Sequence, residues 1–283
     1  MKKRTLIERF PLLLEPTFVA GVACMVLVWF PILIGRLFVT PEMAEVFADL
    51  PNQSISWSHW LGTQSEGRDV ATIIIYGAPA TLGIGLVGGG LALIIGATLG
   101  FLAGYVGGKI DTVIRTLVDV GLTIPSLAIL IMIAASFPVL SIWTMGIIVA
   151  STAWMPITRI IRAQVLSYRQ ADFIKLARLS GAGNVSIIVY EIAPNLIPFL
   201  AATFVSSVTS ATLASIGLEA FGLGTPGAFT LGRTIYDALY YSAMWRGMWW
   251  WWMPPIMILV VLFSGLFLLS IALDRIGNPK MGR

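Results

Sequence analysis

The chain has 283 residues, of which 57% are apolar and only 11% charged, and its mean hydropathy of +0.88 excludes a water-soluble surface and most soluble-enzyme chemistry. The formal charge of +4 is scattered between apolar runs, which records membrane orientation rather than a nucleic-acid-binding face, so no nucleic-acid partner is expected. One cysteine, Cys24, and one histidine, His59, rule out a disulfide framework and leave too few ligands for most zinc or haem sites.

A helix needs roughly 20 apolar residues to cross the hydrocarbon core. Runs of about that length fall at residues 17–34, 80–106, 117–135, 139–157, 196–218 and 249–273, which predicts an all-α integral membrane protein with six transmembrane helices. The first run follows Lys2, Lys3 and Arg4 like a secretory signal, but Glu8, Arg9 and Glu15 break that design, so it reads as a retained span. With the N-terminus cytoplasmic, fourteen of the eighteen Lys and Arg fall on the inner side, so both termini are expected in the cytoplasm and lipid surrounds the spans. Residues 36–76 and 222–248 then form external loops. Residues 158–194 form a cytoplasmic segment of one or two surface helices.

Several motifs fail when their context is weighed. Gly83, Gly85 and Gly88 fit a dinucleotide fingerprint, yet they lie inside an apolar run with no strand before them. Gly88, Ala92, Gly96, Gly100, Gly104 and Gly108 recur at a spacing of four, which is a small-residue face for close helix packing. The run ending Gly107-Gly108-Lys109 lacks both the first glycine and the Ser or Thr of a phosphate loop, so any ATP must be bound by another subunit. Asp119 stands four residues after Arg115 and reads as a local ion pair rather than a proton relay. Trp249 to Trp252 form an aromatic belt at a span end, with Trp249 and Trp250 as candidate stacking residues along a solute path. His59, beside Trp57 and Trp60, reads as surface structure, and no catalytic, cofactor-binding or metal-binding set is expected.

The internal stretch Lys175, Leu176, Ala177, Arg178, Gly181 and Ala182, with Pro194 and Asn195 downstream, resembles the coupling motif of ABC-importer permeases. Lys175 and Leu176 depart from the usual Glu-Ala, while Ala177 and Gly181 keep the spacing. A short helix of this kind needs small residues to seat in a groove and a glycine to let the chain turn. Leu61-Gly-Thr-Gln-Ser-Glu-Gly67-Arg68-Asp69-Val70, followed by Tyr76-Gly-Ala, is similar to the signature of the second permease subunit of dipeptide, oligopeptide and nickel importers; Gln64 replaces the usual acid. Asp119 and Pro125 also match that family.

The resemblance implies the type I ABC importer permease fold, with the transmembrane domain at residues 78–275, a preceding segment 1–77 and a cytoplasmic tail 276–283. It implies a homologous second permease, two ABC ATPase domains that use ATP and Mg, and an extracytoplasmic solute-binding protein, all at a bacterial or archaeal inner membrane. Its solutes are oligopeptides or oligosaccharides, with the segment 218–224 and the Trp run leaning to the latter. An ion-coupled secondary transporter is the other class, and no inverted repeat supports it. The orientation is testable: Ser186→Cys in a Cys24→Ala background should react with an impermeant thiol reagent only after the cytoplasmic side is opened, and labelling in sealed cells would reverse the topology.

Overall fold

A computed structural model describes residues 15–225 and 227–277, and these are nearly all helical. The chain runs through α1 (Pro16–Gly35), α2 (Val70–Val106), α3 (Gly108–Thr123), α4 (Ser126–Ala135), α5 (Ile142–Arg169), α6 (Asp172–Leu179), α7 (Ala193–Ala220), α8 (Leu231–Tyr240) and α9 (Trp249–Gly277). Among the described residues the only β pairing is an isolated bridge between Thr63 and Asp69. Five helices are long and apolar enough to cross a membrane, and the bent pair α3–α4 meets the same criterion when its two halves are taken as one span. The basic residues expected at the two termini, Lys2, Lys3, Arg4, Arg9, Lys280 and Arg283, lie outside the described residues.

Capping residues set three of the helix starts. Asp69, Ser141 and Thr230 each accept a hydrogen bond from the backbone N–H three residues on, at 2.7, 3.1 and 3.1 Å, satisfying one of the donors that a helix N-terminus leaves free. The Asp69 cap corrects the expected external loop 36–76, because Val70 to Tyr76 are already helical and α2 begins ten residues before the apolar run at 80. Its 37 residues span about 55 Å at 1.5 Å per residue. Residues 158–169, expected at the cytoplasmic surface, are instead the continuation of α5. Their Arg and Gln side chains hid the continuity, although Ile157, Ile161 and Val165 keep helical spacing into the core.

The third expected span, 117–135, is not one rod. Pro125 forces Ile124 out of the helical region, to φ −89° and ψ 130°, and α3 and α4 meet at 84° across this break. Neither half, of 16 and 10 residues, reaches across a core of ~30 Å alone.

Packing is organised around α2. It runs parallel to α5 and antiparallel to α7, and the small-residue face makes both contacts possible. A Cβ on Gly96 would stand 2.7 Å from Ile157 Cγ2 and 2.9 Å from the Trp154 carbonyl oxygen; on Gly104 it would meet Val165 Cβ at 2.8 Å. Gly89 brings α2 against the α7 backbone, where its added Cβ would lie 2.6 Å from Val208 N. Ser207 Oγ donates across that seam to Gly89 O at 3.1 Å. The face thus serves contacts within this chain, except for Gly108, which lies beyond the helix end at φ +60°. α1 packs on α9 at a separate small-residue contact, Gly21 against Gly265, closed at its end by the Arg275–Glu15 ion pair at 2.7 Å.

Three buried clusters follow along the bundle. One lies where residues 36–69 and 221–248 gather, the loop end, around Val70, Leu231 and Trp251; one in the middle, around Ile84, Met145 and Ala211; and one at the opposite end, around Tyr105, Ile161 and Ile174. Leu27, Ile94, Leu117, Trp143 and Leu213 point outward on the span surfaces, as lipid-facing or subunit-facing side chains do. Gly96→Ala should destabilise the fold by about 1–3 kcal/mol, because backbone as well as side chain must give way. Gly83→Ala, with nothing within 4 Å of the new Cβ, should be neutral or gain up to ~1 kcal/mol from helix propensity. Thermal unfolding in one detergent checks both, and equal midpoints for the two variants would contradict the seam.

Candidate functional site

At the end of the bundle opposite the loops, α6 stands beyond the core as a short, sharply terminated helix. Ile174 is fully buried among Tyr105, Ile161, Val165, Ile187 and Ile192, and Ala177 packs at the edge of the same cluster. Leu176 and Leu179 on the other side are exposed, Leu179 by 85%. The outward side of this eight-residue helix is thus apolar and uncovered within the chain. Lys175 Nζ donates to Asp172 Oδ1 at 2.8 Å within the helix, and this bond holds the Asp172 carboxyl below its ordinary range. The Lys that stands where the related motif has Glu is thus occupied inside α6.

The helix ends in a Schellman turn. Ala182 N donates to Ala177 O at 3.1 Å and Gly181 N to Arg178 O at 3.0 Å, with Gly181 at φ +85°. The spacing of Ala177 to Gly181 therefore has a local cause: the glycine is the left-handed residue that reverses the chain. The expected close approach at Gly181 is not made within this chain, since nothing lies within 4 Å of a Cβ built there. Asn184–Ser186 and a π-helical turn, Ile187–Ile192, lead into α7. There Pro194 has no N–H to give, and the Asn195 amide donates to Glu191 O at 2.6 Å.

Charged residues on α3 and α5 face each other near the same end. Asp111 takes a two-point ion pair from Arg162, with Nη2 to Oδ2 at 2.7 Å, and Arg115 pairs with Asp119 at 3.3 Å as the spacing of four predicted. Arg115, Asp119, Thr158, Arg159 and Arg162 line a cavity of about 280 Å³. Deeper in the bundle, Ser126, Thr152, Thr203, Ser206, Ser207 and Ser210 contribute hydroxyls to an uncharged cleft of about 320 Å³ between α4, α5 and α7. The Pro125 bend places Ser126 at its rim. Neither Trp249 nor Trp250 lines this cleft. Trp250 packs on Gly62 in the loop end, while Trp251 is fully buried and stacks on Tyr241 with ring centres 5.9 Å apart.

The loop end holds a clasp that the sequence did not announce. His59, read as surface structure, is 6% exposed and lies between two carboxylates, Nε2 at 2.8 Å from Asp49 and Nδ1 at 3.0 Å from Asp69. Asp69, 2% exposed, also caps α2 through Thr72 N and accepts from Thr72 Oγ1 at 2.8 Å. Gly67 at φ +70° tucks under the Asp49 carbonyl, where a Cβ would collide, and Arg68 pairs with Glu66 at 3.2 Å. Gly67 and Arg68 thus hold the loop to itself, and Asp69 anchors it to the second span. The signal available beforehand was the lone His among loop acids. The two loops are tied together by Tyr241 Oη donating to Glu66 at 2.8 Å and Arg246 Nη1 to Ser65 Oγ at 2.8 Å.

Two predictions follow from these contacts. Asp69→Ala removes both the cap and a buried partner of His59, and should destabilise the fold by about 2–5 kcal/mol, against under ~1 kcal/mol for an exposed acid such as Glu45. On α8, burial raises the Asp237 carboxyl to about 6, although Arg233 beside it pulls the other way. A carboxyl raised in the fold favours its protonated form, so its contribution is full below the ordinary value of 3.8 and is lost as pH rises through about 6. Unfolding midpoints measured across that window should fall with rising pH less steeply in Asp237→Asn than in the wild type.

Residues 96–283 match the family described as binding-protein-dependent transport system inner membrane component. Over 259 residues the chain is 32% identical to the dipeptide transport system permease protein DppC of Alkalihalophilus pseudofirmus, covering 87% of this chain and 80% of the relative. It is 27% identical over 243 residues to the oligopeptide transport system permease protein OppC of Lactococcus lactis subsp. lactis, covering 84% and 79%. With its helical frame of five spans and a bent sixth, as a type I permease has, the chain belongs to the binding-protein-dependent inner membrane component family and is a multi-pass permease subunit of an ABC importer.

Proposed function

We propose that this permease imports short peptides, with α6 as the coupling helix that seats on an ATPase subunit. The observation that carries the reading is α6 itself: a Schellman-terminated helix, anchored by Ile174, that presents Leu176 and Leu179 beyond the core at the end opposite the loops. The charge bias puts that end in the cytoplasm, with both termini. The partners are then a homologous second permease, two ABC ATPase domains and an external solute-binding protein meeting the loop end. ATP and Mg belong to the ATPase subunits, and this chain binds no cofactor and performs no catalysis of its own.

The hydroxyl cleft suits the solute path. Its six Ser and Thr stand among apolar side chains and bring no fixed charge, which fits a peptide backbone of varied side chains. The relatives named for dipeptides and oligopeptides support peptides. Trp251 is buried and Trp250 packs on Gly62, while Trp249, 48% exposed, lies outside the cleft.

The test is assembly. The wild-type chain, purified with a tag from its native membrane, should carry ATPase subunits whose hydrolysis in proteoliposomes rises when the binding protein and a peptide mixture are added. Gly181→Leu crowds the contact and strains the turn, so association should weaken by roughly five- to 150-fold, the equivalent of about 1–3 kcal/mol. Wild-type assembly together with wild-type stimulation in that variant would remove α6 from the coupling role.

A further inference from the structure

α6 has to pass its displacement into the bundle; it packs on the π-helical turn Ile187–Ile192 that leads into α7, and a second route runs to α2. Its strongest neighbour in sequence, α5, ends at Arg169, only three residues before α6 begins. Contact with α2, which no covalent connection makes, rests on side chains. Ile174 reaches the shared apolar cluster, and the Arg178 guanidinium lies over the Tyr105 ring, 5.3 Å from its centre.

Tyr105 is the penultimate residue of α2 and only 2% exposed. Its hydroxyl is buried with no hydrogen-bond partner among the described residues. Buried tyrosine hydroxyls are normally paired, so this ring is held by packing and by the cation above it. An apolar contact such as Ile174 is non-directional and tolerates sliding. A guanidinium over a ring face has a preferred position and resists it. Tyr105 is in turn fixed to a long rigid element, since Gly96, Gly100 and Gly104 lock α2 against α5. α5 carries Thr152 to the hydroxyl cleft.

We propose that Arg178 is a positioning residue for transport: through Tyr105 it ties α6 to the end of α2, so that movement of α6 is passed to the α2–α5 pair and reaches the cleft. This rests on the reading of α6 as the coupling helix. It goes beyond that reading by assigning Arg178 to a contact inside the permease rather than to the ATPase surface, and by making Tyr105 a part of the transmission.

The experiment uses the whole importer complex in proteoliposomes, in a Cys24→Ala background with Ser210→Cys in the cleft. The readout is the change in maleimide labelling rate on adding ATP, beside the ratio of ATPase subunits retained. Arg178→Ala should keep the ATPase subunits at wild-type ratio and reduce the ATP-dependent change in labelling by roughly two- to fivefold, the scale of a cation–π contact made by an exposed guanidinium. Arg178→Lys, which keeps a cation over the ring, should restore most of it. Tyr105→Leu should reproduce the loss, and the double variant should be no worse than either single one, as expected for two residues acting through one contact. Wild-type labelling behaviour in Arg178→Ala overturns the inference, as does loss of ATPase subunits from that variant, which would place Arg178 on the subunit interface. If the wild-type chain captures no ATPase at all, the coupling-helix reading falls and this inference with it.

Discussion

Everything else in this molecule hangs on how closely α2 and α5 approach. Inside a bilayer, apolar surface gains nothing by leaving lipid, so helices associate through packing and through the few polar contacts they share. Glycine at 88, 96, 100 and 104 lets the α5 side chains Ile157, Ile161 and Val165 sit directly on the α2 backbone. The result is a two-helix unit along most of the bundle. Its two ends then carry the His59 clasp at one and the α6 anchorage at the other. α7 joins the same unit through Gly85 and Gly89, so one helix organises both of its neighbours.

The parts of the fold set by composition were legible in the sequence. α1 and α9 are apolar all round, and their bounds agree with the expected spans to within a few residues. The glycine spacing of four announced the seam, although not which helix would fill it. What composition hides is continuity through polar residues. α5 runs on past Thr158 because every third or fourth residue still faces the core, while Arg159, Arg162 and Arg169 lower the average hydropathy. The start of α2 was obscured in the same way, because the cap that creates it is a charged residue in a loop. Pro125 stands within a recognisable motif, yet a single proline does not say whether a span bends slightly or breaks at 84°.

The candidate site was legible to a different degree. The spacing of Ala177 and Gly181 carried two expectations, turning and close approach, and of these the turn is visible within this chain. Nothing in a linear sequence brings Tyr105 beside Arg178, or Asp49 beside His59. These pairs are set by where α2 begins and ends, a tertiary fact. The Trp run shows the converse: a conspicuous pattern whose most buried member, Trp251, is simply core.

The bonds from Tyr241 to Glu66 and from Arg246 to Ser65 join segments some 175 and 181 positions apart in sequence. Connecting segments of this length would ordinarily move independently, and a protein alighting on them would have to freeze both. Cross-linked to each other, and through the Asp69 cap to α2, they form one prepared platform. Its ordering is settled when the chain folds, so a visitor keeps more of its contact energy as affinity. A push felt at any point of the platform is shared by the same helix that ends beside α6.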